Sequence, residues 1–172
     1  MAAKGQARKG KIISELIETR KSILDAASSP PSAALDEVFL GVWSIKDLVA
    51  HLVGWDLANI EAVEAILAGR LPAFYAHHDH DWKTFNAGLV ARHKSDDFGK
   101  LISSVEDSHR ELVDLLTTLP AEEFTKDRGV RFKGYKVTIA RLLEAEIDDE
   151  RMHHAQVKDF LHASTQDAGL SS

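Results

Sequence analysis

One stretch decides the fold: Trp43-Ser44-Ile45-Lys46-Asp47-Leu48-Val49-Ala50-His51-Leu52-Val53-Gly54-Trp55-Asp56. Ser44 followed by Asp47 resembles a capping box, with Asp in the place of the usual Glu, and predicts the N-terminus of a helix. Apolar residues then recur at helical spacing for several turns. The stretch therefore predicts a long helix on which Asp56 falls inside the apolar face and His51 lies at its edge.

The rest of the chain shows the same spacing in four further segments. They are residues 12–27, 82–92, 96–119 and 137–162. Prolines follow the first and the third of these segments, and we find no convincing run of strands beyond a short extended piece at residues 130–132. Long helices with short connections predict an all-α protein, an antiparallel four-helix bundle with one short extra helix.

Length and composition set the class of protein. The chain has 172 residues, of which 44% are hydrophobic and 28% charged, as expected for a soluble globular protein. We expect a flexible N-terminus over residues 1–10, one helical domain over 11–162 and a loose tail over 163–172. The tract His77-His78-Asp79-His80-Asp81 is interpreted as a solvated loop.

Charge and residue usage exclude several functions. The net charge of −6 makes nucleic acid an improbable partner. The absence of cysteine excludes disulfides, thiolate zinc sites and cysteine nucleophiles. We find no signal peptide and no apolar run long enough to span a membrane, so we expect a cytoplasmic protein without a membrane partner.

The last helix places ionisable groups on its apolar face. Glu146, Glu150 and His153 share the face of the apolar residues around them, and Asp149 flanks that face. Burial of unpaired carboxylates costs several kcal/mol or shifts their pKa strongly. The burial of these groups must therefore be compensated by a metal, a paired base, a buried hydrogen-bond network or a water-filled pocket.

The spacing of these groups suits metal binding. Glu150 and His153 form an i, i+3 pair of the kind used in carboxylate-metal bundles, and Asp149 and His153 form an i, i+4 alternative. His51 from the neighbouring helix would complete a set for one divalent zinc, iron, nickel or manganese ion with open positions. A metal-free polar pocket and a purely structural network remain open alternatives. No organic cofactor is expected.

The stretch from Trp43 to Trp55 resembles the helix-two signature of the DinB-like four-helix bundles. More narrowly, the chain is similar to the ClbS/DfsB branch. Further segments support the resemblance by their order along the chain, and it covers residues 10–162. These segments are residues 71–74, 81–86, 104–112 and 119–124, followed by His153 three residues before Gln156.

The resemblance implies an up-down-down-up bundle, frequently a homodimer. Metal-binding members hold a divalent ion with three histidines, one from helix two and an i, i+4 pair from the last helix. His51 matches the first of these and His153 the last, whereas Asp149 stands where the middle histidine is expected. Asp149 can still ligate through oxygen, and Glu146 or Glu150 could substitute, so the resemblance implies His51, Asp149 and His153 as the metal set.

The resemblance also implies a function. The ClbS/DfsB branch is associated with self-protection against a DNA-damaging natural product by hydrolytic opening of a strained electrophilic ring. We therefore expect a small-molecule-binding hydrolase, a resistance protein that adds water to a reactive electrophile. The alternatives are a divalent-metal-dependent thiol transferase, as other DinB-like enzymes are, and a protein that sequesters its ligand without catalysis.

Particular side chains are candidates for this chemistry. The catalytic candidates, as general base or metal ligand, are His51, Asp56, Glu150 and His153. The candidates for substrate binding are Trp55, Tyr75, Trp82, Asn86 and Glu146. The tryptophans would stack on a flat ligand or anchor the core, and Asn86 lies four residues after Trp82 on the same helix face.

Overall fold

The computed structural model describes residues 2–77 and 81–169, so residues 78–80 of the histidine-rich tract lie outside the described residues. Five α-helices account for most of the described chain. They are α1 (Ala2–Ala27), α2 (Ile45–Leu67), α3 (Trp82–His93), α4 (Phe98–Thr118) and α5 (Ile139–Gly169). Short 3-10 turns span Ser32–Asp36, Ala73–His77 and Ala121–Phe124, and the two strands are β1 (Arg131–Phe132) and β2 (Tyr135–Lys136). The predicted all-α fold is confirmed.

Helix α2 begins where the sequence predicts. The Ser44 hydroxyl accepts a hydrogen bond from the Asp47 backbone N–H at 3.3 Å, and the Asp47 carboxylate accepts one from the Ser44 N–H at 3.0 Å. This reciprocal capping box satisfies two backbone donors that a helix start leaves unpaired. It therefore fixes the register of α2, which carries His51 into the core.

The four long helices form the up-down-down-up bundle. In one core cluster, the first half of α1 packs against the C-terminal ends of α2 and α4. In the other, the C-terminal end of α1 packs against the N-terminal halves of α2 and α4. Helices α2 and α4 are therefore parallel to each other and antiparallel to α1. Ion pairs that join Arg8 to Glu144 and Glu15 to Arg151 show that α5 runs parallel to α1. The predicted order of helix directions is confirmed.

Helix α1 begins earlier than the sequence predicts, because its first turns are held by the rest of the bundle. The Arg8 guanidinium makes a bidentate contact with Glu144 of α5. The Lys9 ammonium donates to the backbone carbonyls of Thr117 and Leu119, which the end of α4 leaves unpaired. The expectation of a flexible segment over residues 1–10 is therefore corrected for residues 2–10, which are helical.

Helix α5 extends past His162 to Gly169, so the expected loose tail is helical over residues 163–169. The hydroxyls of Ser164 and Thr165 bond to carbonyls of the preceding turn and are compatible with a continued helix. None of the helices in the described ranges is long and apolar enough to cross a membrane.

A short hairpin lies next to the bundle. Its turn residues Lys133 and Gly134 both have positive φ values, 48° and 81°, as a two-residue type I′ turn requires. The Phe132 ring on β1 packs against the Tyr75 ring with their centroids 4.8 Å apart. The hairpin thus supports the segment that carries Tyr75, and it includes the extended piece expected at residues 130–132.

Candidate functional site

A cavity of about 1030 Å³ opens among α2, α3, α5 and the turn before α2. Its size is at the upper end of the range typical of small-molecule sites. All five residues predicted to bind substrate line it: Trp55, Tyr75, Trp82, Asn86 and Glu146. The three predicted metal ligands line it as well: His51, Asp149 and His153. The structure therefore brings together, in one cavity, residues that are up to about a hundred positions apart in the sequence.

The metal-ligating corner is formed by His51 of α2 and by Asp149 and His153 of α5. One ligand atom from each lies within 4.8 Å of the other two. The Nε2 atom of His153 is 3.3 Å from an oxygen of Asp149, and its Nδ1 atom is 2.7 Å from the side-chain oxygen of Gln156. With Nδ1–H donating to Gln156, Nε2 is left with a lone pair directed at a carboxylate, which favours a proton or a cation there.

Burial and charge set different protonation states for the two histidines. Burial, together with the charges of His153 and Arg20, lowers the pKa of His51 to about 3, so its imidazole is neutral at pH 7. Burial also lowers the pKa of His153, but the hydrogen bond and charge of Asp149 outweigh it and raise that pKa above its usual value. Burial raises the pKa of Asp149, and His153 outweighs this effect, so the carboxyl remains ionised.

This corner fits a divalent metal ion. Bonds of about 2.0 Å to a tetrahedral ion place ligand atoms about 3.3 Å apart, the separation already present between His153 and Asp149. The buried Nδ1 of His51 has no hydrogen-bond partner within the described ranges, so no partner there fixes the tautomer of its ring. A metal ion that displaced the proton of His153 would meet two neutral imidazoles and one carboxylate, a donor set that zinc, nickel, iron and manganese accept.

Aromatic side chains form the wall of the cavity. The Trp55 ring packs against Trp82 and Phe74 with centroid separations of 5.5 and 5.3 Å. Its indole N–H donates to the side-chain oxygen of Asn86 at 3.1 Å, which fixes the orientation of the indole. Trp43 packs on His51 at 4.6 Å and links this wall to the metal-ligating corner. The wall suits a ligand with a flat apolar portion.

The floor of the cavity is polar and holds Glu146 and Asn59. Burial and the charge of Glu150 raise the pKa of Glu146 to about 8, while Asn59 and Arg20 partly oppose the rise. Glu146 is therefore mainly protonated at pH 7 and can donate a hydrogen bond. This places a neutral carboxylic acid about one helical turn from the ionised Asp149, an arrangement that separates acid and base roles.

Two predicted catalytic residues lie elsewhere. The Arg20 guanidinium donates to Asp56 at 2.7 Å and contacts Glu150, and all three side chains are almost fully buried. Ser108 of α4 donates to Asp56 at 2.7 Å. Neither carboxylate lines the cavity. The structure therefore places Asp56 and Glu150, predicted as catalytic, in a buried ion-pair cluster outside the cavity, where Arg20 compensates for their burial.

Residues 15–157 match the family model described as the DinB superfamily. The chain belongs to the DinB superfamily. The expected resemblance is thereby confirmed at the level of the superfamily. The match begins within α1 and ends within α5, so it includes the whole of the cavity described above.

Solved structures of the same fold include a ClbS-like relative. The colibactin self-resistance protein ClbS, crystallised in complex with a double-stranded DNA, aligns with a TM-score of 0.71 at 13% identity over 88% of this chain and 93% of its own. An uncharacterised protein from Escherichia coli UTI89 aligns at 0.68, with 14% identity and coverages of 91% and 94%. One from Clostridium difficile 630 aligns at 0.70, with 12% identity and coverages of 90% and 95%. No curated protein matches the chain.

Sequence reasoning missed two residues of this DinB-superfamily protein. Arg20 lies four residues after Leu16 and three before Ile23, so its helical spacing marked it as inward-facing. Asn59 lies four residues after Trp55 on the same side of α2, and it is 1% exposed and lines the cavity. In both cases the signal was a polar residue in register with apolar ones.

Proposed function

We propose that this protein binds a small, partly aromatic molecule in the cavity and adds water to a reactive electrophilic group of that molecule. The observation that carries the proposal is the approach of His51, Asp149 and His153 to within 4.8 Å at one side of an aromatic-walled cavity. Such a cavity binds the apolar part of a ligand, and the polar corner provides groups that can activate water.

His51, Asp149 and His153 would hold a divalent metal, which when bound lowers the pKa of a coordinated water and so supplies a nucleophile near neutral pH. The remaining cavity residues keep their roles with or without it. The wall of Trp55, Trp82 and Phe74 excludes water from the apolar part of the ligand, and Glu146 offers a proton to the group that leaves.

Without metal, the same residues support general base catalysis. In its neutral form, His153 accepts a proton from water at Nε2, and the Asp149 carboxylate at 3.3 Å stabilises the imidazolium that results. The water oxygen forms a bond to the electrophilic carbon, and the strained bond from that carbon to its ring partner breaks. The ring partner takes the proton of Glu146. Proton return from His153 to Glu146 completes the net addition of one water.

The comparisons support a resistance function for this activity. Membership of the DinB superfamily and the shared fold make ClbS, a colibactin self-resistance protein, a reasonable guide to the class of ligand. Reactive electrophiles are the class in which ring opening by water removes toxicity. We infer that the protein protects its cell from such a compound.

Turnover of an aryl epoxide in heavy-oxygen water tests the proposal. We expect a diol that contains one heavy oxygen atom, formed catalytically by the wild type and lost in His153→Gln and His51→Ala. His162→Ala, which alters an exposed histidine outside the cavity, is the matched control and should retain activity. Circular dichroism establishes that the variants are folded.

Other outcomes of that assay would contradict hydrolysis. A product that forms only with an added thiol and carries that thiol would identify the transferase alternative. Stoichiometric capture of the epoxide without release of product would identify the sequestering alternative. Loss of structure in His51→Ala, rather than loss of turnover, would assign His51 a structural role.

Duplex DNA is a partner to be tested, because the crystal structure of ClbS with DNA weakens the expectation that nucleic acid is improbable. Residues 126–141 carry six basic side chains and one acidic one. Several of the basic groups pair with Glu123 or Asp127, which reduces their net field. Fluorescence anisotropy of a labelled duplex at low and high salt tests whether the protein binds DNA. Salt-sensitive binding would establish the partner, and its absence would restore the original expectation.

A further inference from the structure

Asn59 is a buried amide without a well-formed hydrogen bond. Its side chain is 1% exposed, and among residues 2–77 and 81–169 neither its oxygen nor its nitrogen makes a hydrogen bond of normal geometry, although the amide is near enough to Glu146 to lower the pKa of that carboxyl. Buried side-chain amides are ordinarily hydrogen-bonded, because their desolvation is otherwise not compensated. Asn59 lines the cavity floor, so a molecule in the cavity is placed to complete its hydrogen bonds.

Glu146 stands beside Asn59 and complements it. Its side chain is 9% exposed and lines the same floor from α5. Burial and Glu150 keep this carboxyl protonated at neutral pH, so it presents an O–H donor rather than a negative charge. The floor therefore offers two donor groups and one amide acceptor, and it carries no charge that would repel a carbonyl oxygen.

We propose that Asn59 and Glu146 form a receptor for the edge of a lactam, a cis secondary amide whose N–H and C=O lie on the same side, carried by a flat ligand. The Asn59 nitrogen donates to the ligand carbonyl, its oxygen accepts the ligand N–H, and the Glu146 hydroxyl donates to the second lone pair of the carbonyl. This inference names the ligand class of the cavity and rests on the proposed function.

The position of the receptor agrees with the proposed chemistry. Glu146 and Asp149 are three residues apart on α5, which corresponds to about 4.5 Å along the helix axis. A ligand held by its amide edge would therefore place a neighbouring atom next to His51 and His153. Stacking on Trp55 and Trp82 accounts for the flat portion of the ligand.

Binding of 2-quinolone and of N-methyl-2-quinolone by isothermal titration tests the receptor. The two molecules share their ring and carbonyl, and only 2-quinolone has the N–H. We expect the wild type to bind 2-quinolone at least about tenfold more tightly, a ratio typical of one satisfied hydrogen bond. Asn59→Leu should bind both about equally while melting no lower than the wild type, because it removes an unsatisfied polar group.

Glu146 provides the second arm of the experiment. Glu146→Gln keeps a neutral group with donors and should retain the affinity for both quinolones, whereas Glu146→Leu should weaken the binding of both, because it removes a donor to the carbonyl that they share. Equal binding of both quinolones by the wild type, binding of neither, or a preference that survives Asn59→Leu would overturn the proposal. If Asn59→Leu fails to fold, the wild-type preference and Glu146→Leu decide. Turnover of the aryl epoxide by the wild type, measured separately, reports on the proposed function, so the two failures are distinguishable.

Discussion

Arg20 pairs with two carboxylates that are both out of contact with solvent. Its guanidinium bridges Asp56 of α2 and Glu150 of α5, and Ser108 of α4 adds a hydrogen bond to Asp56. Four helices thus meet at one buried cluster. Such a cluster adds little net stability over an apolar core, but removal of one member leaves charges without compensation.

We expect Arg20→Met to lower the free energy of unfolding by about 3–5 kcal/mol, because Asp56 and Glu150 lose their counter-ion. Arg8→Met is the matched control. It removes the half-exposed pair with Glu144 and should cost at most about 1 kcal/mol. Urea denaturation at pH 7 measures both. Equal losses for the two variants would contradict the role of the cluster.

Lowering the pH should reduce the difference in the free energy of unfolding between Arg20→Met and the wild type. Burial raises the pKa of Asp56, but Arg20 and His109 outweigh it, so the folded pKa lies below the usual value. The stability from this pair is present above the unfolded pKa of about 3.9 and is lost as the pH falls through the folded value. Urea denaturation over this pH range follows the loss.

Glu146 should make stability depend on pH in the opposite direction. Its folded pKa of about 8 exceeds the unfolded value, so the folded state releases this proton later as the pH rises. The wild type should therefore lose on the order of 1 kcal/mol per pH unit from this group between about pH 5 and pH 8. Glu146→Gln lacks this loss, so its free energy of unfolding should increasingly exceed that of the wild type as the pH rises. A constant difference across this range would contradict a protonated Glu146.

Gly54 permits α2 and α3 to approach closely. A Cβ atom at this position would lie 2.7 Å from the Leu89 Cβ, closer than two such atoms can approach. Because α3 carries Trp82 and Asn86, the distance between these helices sets the width of the cavity.

We expect Gly54→Ala to lower the melting temperature and to change the tryptophan fluorescence, because an overpacking cost of about 1–3 kcal/mol exceeds the helix-propensity gain. Gly88→Ala is the matched control on α3, since nothing lies within 4 Å of its Cβ position. It should raise the melting temperature slightly. Scanning calorimetry and fluorescence test both variants, and a stabilised Gly54→Ala would contradict the close packing.

The ends of the helices show where the local sequence alone is enough to predict a helix boundary. The start of α2 was predictable, because Ser44 and Asp47 cap it through their own side chains. The start of α1 was not, because it depends on Glu144 and on carbonyl groups at the end of α4. Contacts between distant segments extend a helix without a signal in its own sequence.

The whole molecule explains why the site was only partly predictable. Helical spacing predicted Asp149 and His153 on one side of α5 with His51 of the neighbouring helix completing the set, and the family resemblance pointed to the same three residues. The same spacing does not distinguish a side chain that faces the cavity from one that faces the packed core. It therefore groups Glu150 and Asp56 with the cavity residues, whereas in the structure both pair with Arg20. Helical spacing shows that a side chain points into the bundle, but it does not show which residues of the other helices lie opposite. Dimer formation stays a prediction.

Zinc content is the measurement that tests the account most directly. Tag-free wild type should bind about one equivalent of zinc, measured by mass spectrometry of the metal after incubation and dialysis. His51→Ala/His153→Ala should bind none while remaining folded, and His93→Ala/His162→Ala should bind as the wild type does. Absence of metal in the wild type after incubation with zinc, nickel and manganese would contradict a metal-ligating corner.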